Sequence, residues 1–508
     1  MTGWMMHSEN SGLPGRAAET SAATYLRRFL VVLGLLLTFR IGALLLNSTD
    51  LFFDEAQYWD WSRNLAFGYF SKPPLIAWLI RAATVTCGAG EVCIRLPSPI
   101  LHAVTAFFIF LTGRKLYGAQ TGFWAGVLFA ILPGVSLSAG LISTDVPLLC
   151  FWAIALFFYV RLLDQPAWTD ATGLGFAFGF GMLSKYAMAF FLLGILAQSL
   201  FAPEARRVFN SRQFLAALGT GFLVVLPNLI WNGQHGFATL THTARNANWS
   251  GALFHPLKML EFLGAQFGVF GPLLFAGFIV IVYRWLKDGI PQNDRVMLAF
   301  SLPVILAITL QALLKNANAN WAAVAYVAAS VLLAATLVRD RSGRTLGASI
   351  VIHGIFLVGL TFALALAPKL SMLPVFGPQV RIIGWHAIAD TVRAEIVRAE
   401  TAGMPYRAIL TDERALTAEL LYYLRDLPLP MTAWQEGAAA ADQYEMTLRI
   451  SKATPEPVLY VTGKAAQHLI AGRFAVIVPV AEPFDKTVPG TNRPINMFAV
   501  SGLRDKSP

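Results

Sequence analysis

Long apolar runs separated by short polar breaks dominate this chain up to residue 367. They fall near 24–46, 98–113, 121–140, 145–163, 171–183, 186–202, 214–231, 265–284, 296–314, 320–338 and 346–367. About 20 apolar residues in a helix cross a hydrocarbon core. The pattern therefore predicts a polytopic α-helical membrane protein with about eleven transmembrane helices, counting the short pair at 171–202.

From residue 368 the period changes. "YRAILTDE" reads as a strand and turn, "RALTAELLYYLRD" as an amphipathic helix, and "PVLYVTG", "FAVIVPVAEPF" and "NMFAVSGLR" as strands. These make a small C-terminal α/β domain over 368–508, too polar for a bilayer. It lacks a Gly-rich phosphate loop, so no nucleotide site is expected there. The predicted organisation is an N-terminal tail at 1–23, a membrane domain at 24–367 with outer loops at 47–97 and 232–264, and the tail domain.

Composition agrees with the pattern: 56% of residues are hydrophobic and 13% charged, with a mean hydropathy of +0.57. The net charge of +10 does not point to nucleic acid, because Lys and Arg gather in alternate short loops. One set holds Arg27 and Arg28, Arg114 and Lys115, Arg161, Arg206, Arg207 and Arg212, Arg284, Lys287 and Arg295, then Arg339, Arg341 and Arg344. The positive-inside rule makes that set cytoplasmic. An inward N-terminus and an odd helix count put 368–508 on the outer face. The first run lacks a signal-peptide cleavage pattern and reads as an uncleaved anchor. Cys87 and Cys93 flank a short outer loop in which a disulfide is one alternative, and no CxxC metal site occurs.

The stretch "LFFDEAQYWDWSRNLAFGYFSKPPL" at 51–75 carries the first candidate chemistry. Asp54 and Glu55 read either as acids favoured at a helix start or as a general base with its neighbour, with a divalent metal as an open alternative. Tyr58 shares a helix face with Asp54, being four residues on, and Arg63 follows on the same segment. Asp145 in "LISTDVPLL" reads as a helix cap or as a second acid facing the same outer side. Lys72, Lys185 and Lys315 sit at outer helix ends, where topology signals disfavour lysine. Together they suggest an anion site at the membrane edge, since lysine binds phosphate as a point charge. The outer loop at 228–258 carries His235, His242 and His255, none at a trusted zinc spacing; His235, with Tyr58 and Arg63, reads as a candidate substrate contact. Gln266, Asn318 and Asn320 are hydrogen-bonding candidates for a sugar, and Trp321 a stacking one.

In order along the chain, "FDEAQYW", "YFSKPPL", "STDVPL", "LSKYAM" and "ANANWAAVAY" resemble the GT-C glycosyltransferases of family 39 and their bacterial relatives. That branch includes protein O-mannosyltransferases, the lipid A aminoarabinose transferase and the rhizobial galacturonic acid transferases. The resemblance spans roughly residues 24–340. It implies the GT-C fold, a polyprenyl-phosphate sugar donor and inverting transfer on the outer face. By motif, it implies Asp54 as the catalytic carboxylate, Glu55 as its neighbour, Asp145 as a second cavity acid, and Lys72 and Lys185 as donor-phosphate ligands. Ser71 stands where the aminoarabinose enzymes have Glu, which weakens a transfer of their metal site or donor sugar.

Elementary chemistry fits this reading. Fixed cations in a low-dielectric cavity stabilise a leaving phosphate, and one carboxylate suffices to activate an acceptor hydroxyl. The expectation is an inner-membrane glycosyltransferase using a polyprenyl-phosphate sugar and a lipid or surface-glycan acceptor. The alternatives are a protein O-glycosyltransferase and a lipid-linked sugar transporter. A transporter would carry its charges near the bilayer midplane.

Overall fold

The computed structural model describes residues 13–247, 253–370, 382–464, 470, 472–480 and 494–504. The tail at 1–12, part of the loop at 248–252 and the end of the expected strand at 481–484 lie outside them. The first helix, Leu13–Leu46, starts earlier than the apolar run did.

Among the described residues, six helices are long and apolar enough to cross a membrane: Ala22–Leu46, Glu91–Tyr117, Asp145–Asp164, Arg212–Gln234, Gln292–Leu314 and Gly343–Ala365. Pro256–Val269 and Pro272–Asp288, bent by 117° at their junction, make a seventh if taken as one span. Shorter apolar helices, among them Leu75–Cys87, Tyr186–Leu200 and Ala325–Arg339, pack with these spans. The chain is thus a multi-pass membrane protein whose long spans number fewer than the apolar runs. The reason is local. The run at 121–140 breaks at Pro133, where Ala119–Ala130 stops and Pro133–Ser138 begins, since Pro lacks an N–H for the preceding turn. The run at 320–338 opens as a 3₁₀ turn, Ala319–Ala322, before Ala325–Arg339. That last helix is buried over nearly its whole length, so its apolarity reflects neighbours on every side.

Aromatic packing holds the bundle. Phe29 stacks on Phe110 at 4.6 Å, and Trp152 meets Phe191 edge-on at 5.1 Å. Gly113 and Gly122 let two helix backbones touch: a Cβ on Gly113 would sit 2.9 Å from the Gly122 Cα.

The C-terminal part folds as a five-stranded sheet of β1 (Ala408–Thr411), β2 (Met431–Ala433), β3 (Val458–Thr462), β4 (Phe474–Pro479) and β5 (Asn496–Leu503). The order is β2-β1-β3-β5-β4. β1 runs parallel to β2 and β3, while β5 pairs antiparallel with β3 and β4. Helix Trp385–Thr401, not anticipated from the sequence, buries Ile388, Val392 and Ile396 at i, i+4 spacing. Helix Arg414–Tyr423 matches the expected amphipathic segment.

This unit is not tethered by its chain alone. Its helices share one apolar core with the loop after the first span, where Trp59 meets Tyr422 edge-on at 4.9 Å. The Tyr423 hydroxyl accepts from Leu51 N–H at 2.8 Å and donates to Glu91 at 2.6 Å. Cys87 and Cys93 are joined as a disulfide that closes the neighbouring loop.

Candidate active site

Helix Phe53–Arg63 lies where the first span ends, with Asp54 and Glu55 in its first turn and Arg63 in its last, the arrangement that suits the helix dipole. Consecutive helical residues point about 100° apart, so the two acids part company. Glu55 turns into the protein. Its side chain is 2% exposed and pairs with Arg95 at 2.8 Å. It also accepts the N–H of Phe52 at 2.9 Å and of Ile142 at 2.8 Å. Its carboxylate is spent on joining three segments. Asp54 is 33% exposed and lines a cavity of about 640 Å³.

That cavity lies between the bundle and the C-terminal unit. Lys72, Lys185, Trp321 and Asn318 line it from the bundle and its loops, and Arg414, Asp442 and Gln443 from the other side. Lys185 ends helix Trp168–Ser184, extended before the 3₁₀ turn Tyr186–Ala189. Its ammonium lies 2.7 Å from Asp145 Oδ1, and Asn320 donates to the other oxygen of Asp145 at 2.6 Å. Three sequence-distant segments thus meet at one carboxylate. Tyr186 is fixed by donating to Asn228 at 2.7 Å and accepting from Asn232 at 3.2 Å. Asn228 in turn donates to the Phe67 carbonyl at 2.6 Å. Gly68 lies against the Trp231 ring with no room for a Cβ.

Lys72 differs from Lys185. Among the described residues it has no ion pair and its ammonium has no hydrogen-bond partner. Burial, with Lys185 nearby, holds it below the usual lysine value, while Asp54 and Asp145 pull the other way. It is a half-buried cation on the cavity wall.

The remaining expected residues sit elsewhere. Lys315 caps helix Leu302–Leu314 and does not line the cavity. Tyr58 is buried beside Trp61 at 5.4 Å, and exposed Arg63 lies over the Trp59 ring at 5.2 Å. His235 stacks on Trp231 at 4.1 Å and caps its own helix. Gln266 is fully buried and ties Phe262, Ala319 and Tyr326 together. His255 precedes helix Pro256–Val269. His242 does line the cavity, and burial, then Lys72 and Arg414, push it down to about 4. It is therefore neutral at neutral pH.

Asp54 and Glu55 do not fit a metal as a pair. Arg414 holds one at 2.8 Å and Arg95 the other at 2.8 Å, on different faces of the helix. Among the described residues, the ligand atoms that do converge belong to Asp50, Glu91 and His386, where His386 and Asp50 are already bonded at 2.7 Å.

The participant missed in the sequence is Arg414. It opens helix Arg414–Tyr423, reaches back to Asp54 and Gln57, and lies over the Phe53 ring at 4.7 Å. Gln443 makes a second link by accepting the Phe70 N–H at 2.8 Å. The signal was weak: one arginine in "TDERAL", 360 residues from its partner.

Comparison with known proteins gives the kinship. Residues 71–231 match the family described as dolichyl-phosphate-mannose-protein mannosyltransferase. The chain is 38% identical to the lipid A galacturonosyltransferase RgtD of Rhizobium johnstonii over 443 residues, 86% of this chain and 90% of that one. It is 32% identical over 240 residues to the lipopolysaccharide core galacturonosyltransferase RgtA of the same organism, covering 45% and 46% of the two chains. In structure it resembles ArnT from Cupriavidus metallidurans bound to undecaprenyl phosphate, with a TM-score of 0.64 at 14% identity over 94% and 98% of the chains. The sequence kinship with the first of these, spread over nearly the whole of both proteins, and the shared bundle make this chain a glycosyltransferase of the GT-C superfamily, in the family of the rhizobial lipid A galacturonosyltransferase.

Proposed function

We propose that the protein moves a hexuronic acid, galacturonic acid, from a polyprenyl phosphate to lipid A on the outer face of a bacterial inner membrane, inverting the anomeric centre. The observation that carries this is the pairing in one cavity of a carboxylate, Asp54, with an unpartnered half-buried cation, Lys72. The relative RgtD supports the sugar and the acceptor, and the undecaprenyl phosphate bound to ArnT supports the donor.

The roles follow from position. Lys72 and Lys185 receive the donor phosphate. Asp145 and Asn320 hold Lys185 in place, so its ammonium is preorganised before charge develops on the leaving group. Asp54 takes the proton of the attacking acceptor hydroxyl. Glu55 positions the helix that carries Asp54 by anchoring it to Arg95 and Ile142. Trp321 offers a ring to the sugar from the cavity wall. Chemistry by cations and a carboxylate suffices, with no step routed through a metal. An inward N-terminus and an outward C-terminal unit follow from the arginine-rich loops.

The test is direct. Purified protein in detergent is given polyprenyl-phosphate galacturonic acid and lipid A, and the lipid is read by mass spectrometry. Addition of one hexuronic acid, lost in Asp54→Asn, is the expected result. No transfer to lipid A, with transfer to a protein or to core oligosaccharide instead, would overturn the acceptor assignment.

A further inference from the structure

Arg414 makes an uneven set of contacts. One terminal nitrogen, Nη1, donates to both Asp54 Oδ1, at 2.8 Å, and Gln57 Oε1. Among the described residues Nε and Nη2 have no hydrogen-bond partner. Those two nitrogens form the side edge of the guanidinium, whose parallel N–H groups match the two oxygens of a carboxylate. The side chain is 34% exposed and lines the cavity together with Asp54 and Lys72. Its Cζ lies 4.7 Å from the centre of the Phe53 ring, a contact that steadies the side chain at the cavity wall.

The cavity therefore presents two anion positions. Lys72 and Lys185 supply point charges, suited to a phosphate. Arg414 supplies a planar fork, suited to a carboxylate, from the opposite wall. A neutral sugar phosphate would use the first and offer the second only neutral hydroxyls, which form weaker bonds to a guanidinium than a carboxylate does. A hexuronic acid phosphate has one anionic group for each.

Resting on the function proposed above, we infer that Arg414, supplied by the C-terminal unit, is the specificity-determining residue that binds the carboxylate of the transferred sugar through Nε and Nη2 while Nη1 retains Asp54. The C-terminal unit then has a part in substrate choice. It also links choice to catalysis, because the group that reads the sugar is the group that orients the base.

The test measures binding without acceptor, so that no turnover occurs. Two donors on the same polyprenyl phosphate are compared, one carrying galacturonic acid and one galactose. Wild-type protein is expected to favour the galacturonyl donor by on the order of 10- to 100-fold. Arg414→Gln should bring that ratio close to one, and Arg414→Lys, with charge but no fork, should fall between. Effects common to both donors, including any loosening of the fold, cancel in the ratio. If Arg414→Gln is too unstable to purify, Arg414→Lys alone decides the matter. A wild-type ratio near one, or a ratio preserved in the variants, overturns the inference. Failure of the wild-type protein to glycosylate lipid A, with the ratio behaving as expected, would instead overturn the proposed function and leave this assignment standing.

Discussion

Glu55 and Arg95 form a buried ion pair at 2.8 Å, with 2% and 1% of their side chains exposed, directly beside the cavity acid Asp54. Arg95 adds bonds to the carbonyls of Thr49 at 3.1 Å and Asp50 at 2.7 Å. Breaking such a pair leaves an uncompensated buried charge and costs about 3–5 kcal/mol. Glu55→Gln should therefore lower thermal stability strongly. Asp54→Asn should not, because its pair with Arg414 is about one-third exposed on both sides and worth under about 1 kcal/mol. It should instead cut turnover by about 10²–10⁴-fold, the range for a lost general base. Thermal melts beside turnover rates separate the two acids, and equal behaviour of the variants would refute the division of labour.

The two lysines should also part. Lys185→Met strands Asp145, 14% exposed and otherwise held by Asn320, so both stability and donor use should fall. Adding Asp145→Asn should restore the melting temperature but not the donor affinity. Lys72→Met removes a cation that, among the described residues, has neither an ion pair nor an ammonium hydrogen bond, and whose charge burial disfavours more than Asp54 and Asp145 favour it. It should leave stability intact or slightly raised while weakening the donor interaction by about 10- to 100-fold, as expected for a charge-assisted contact. A Lys72→Met protein that melts early but binds donor normally would assign Lys72 to the fold.

How much of this was legible in the sequence depends on range. The apolar runs were plain because hydropathy is a local property. Their interruption at Pro133 and at Ala319–Ala322 was not, because whether an apolar run spans or breaks depends on what packs around it. Asp54, Lys72, Asp145 and Lys185 stood out as charges at the ends of apolar runs, and the fold gathers them. Only the family motif, not the residues themselves, told Asp54 from Glu55, since it is the helix azimuth that turns one to the cavity and the other to Arg95. His235, not His242, was the substrate contact expected from the sequence, yet His235 caps its own helix and His242 lines the cavity with Lys72, because only the orientation of each in the folded chain separates them. Arg414 was silent: it lies in a polar segment where an arginine at a helix start carries no information until the unit docks.

The depressed Lys72 gives a pH signature. In the proposed role it is the protonated ammonium that would bind the phosphate, and burial with Lys185 nearby lowers its value in the free enzyme. As pH rises through that lowered value the free enzyme loses the charge, so donor KM should climb at a less alkaline pH than an ordinary lysine near 10.4 would give. Bound phosphate raises the value again, so kcat should hold over the same range. In Lys72→Arg the charge persists, and the rise in KM should vanish. A KM profile that is the same in the arginine variant would assign the titration to another group.

His386 and Asp50 give a second pH signature, this time in stability. Asp50 Oδ1 lies 2.7 Å from His386 Nδ1, and Asp50 Oδ2 accepts the N–H of Trp385 at 2.7 Å. The helix of the C-terminal unit is thereby fastened to the end of the first span. The hydrogen bond to Asp50, with Glu91 and Asp390 adding to it, raises His386 above its usual 6.5 against the opposing effect of burial. A raised folded value means that the protonated form is favoured by folding. The contribution is complete below about 6.5, the unfolded value, and disappears as pH climbs through the folded value. The histidine side chain is 61% exposed, so solvent screening keeps the effect below about 1 kcal/mol. Melting temperature should thus decline as pH rises above about 6.5 in the wild-type protein. The decline should be shallower in His386→Asn, which keeps a donor without the titration. Asp50→Asn should lose the slope and also weaken the docking of the C-terminal unit, because Trp385 N–H loses its charged acceptor. Limited proteolysis in the segment joining the last span to the sheet reads that docking directly. An unchanged slope in both variants would place the pH dependence elsewhere and leave the latch as a neutral contact.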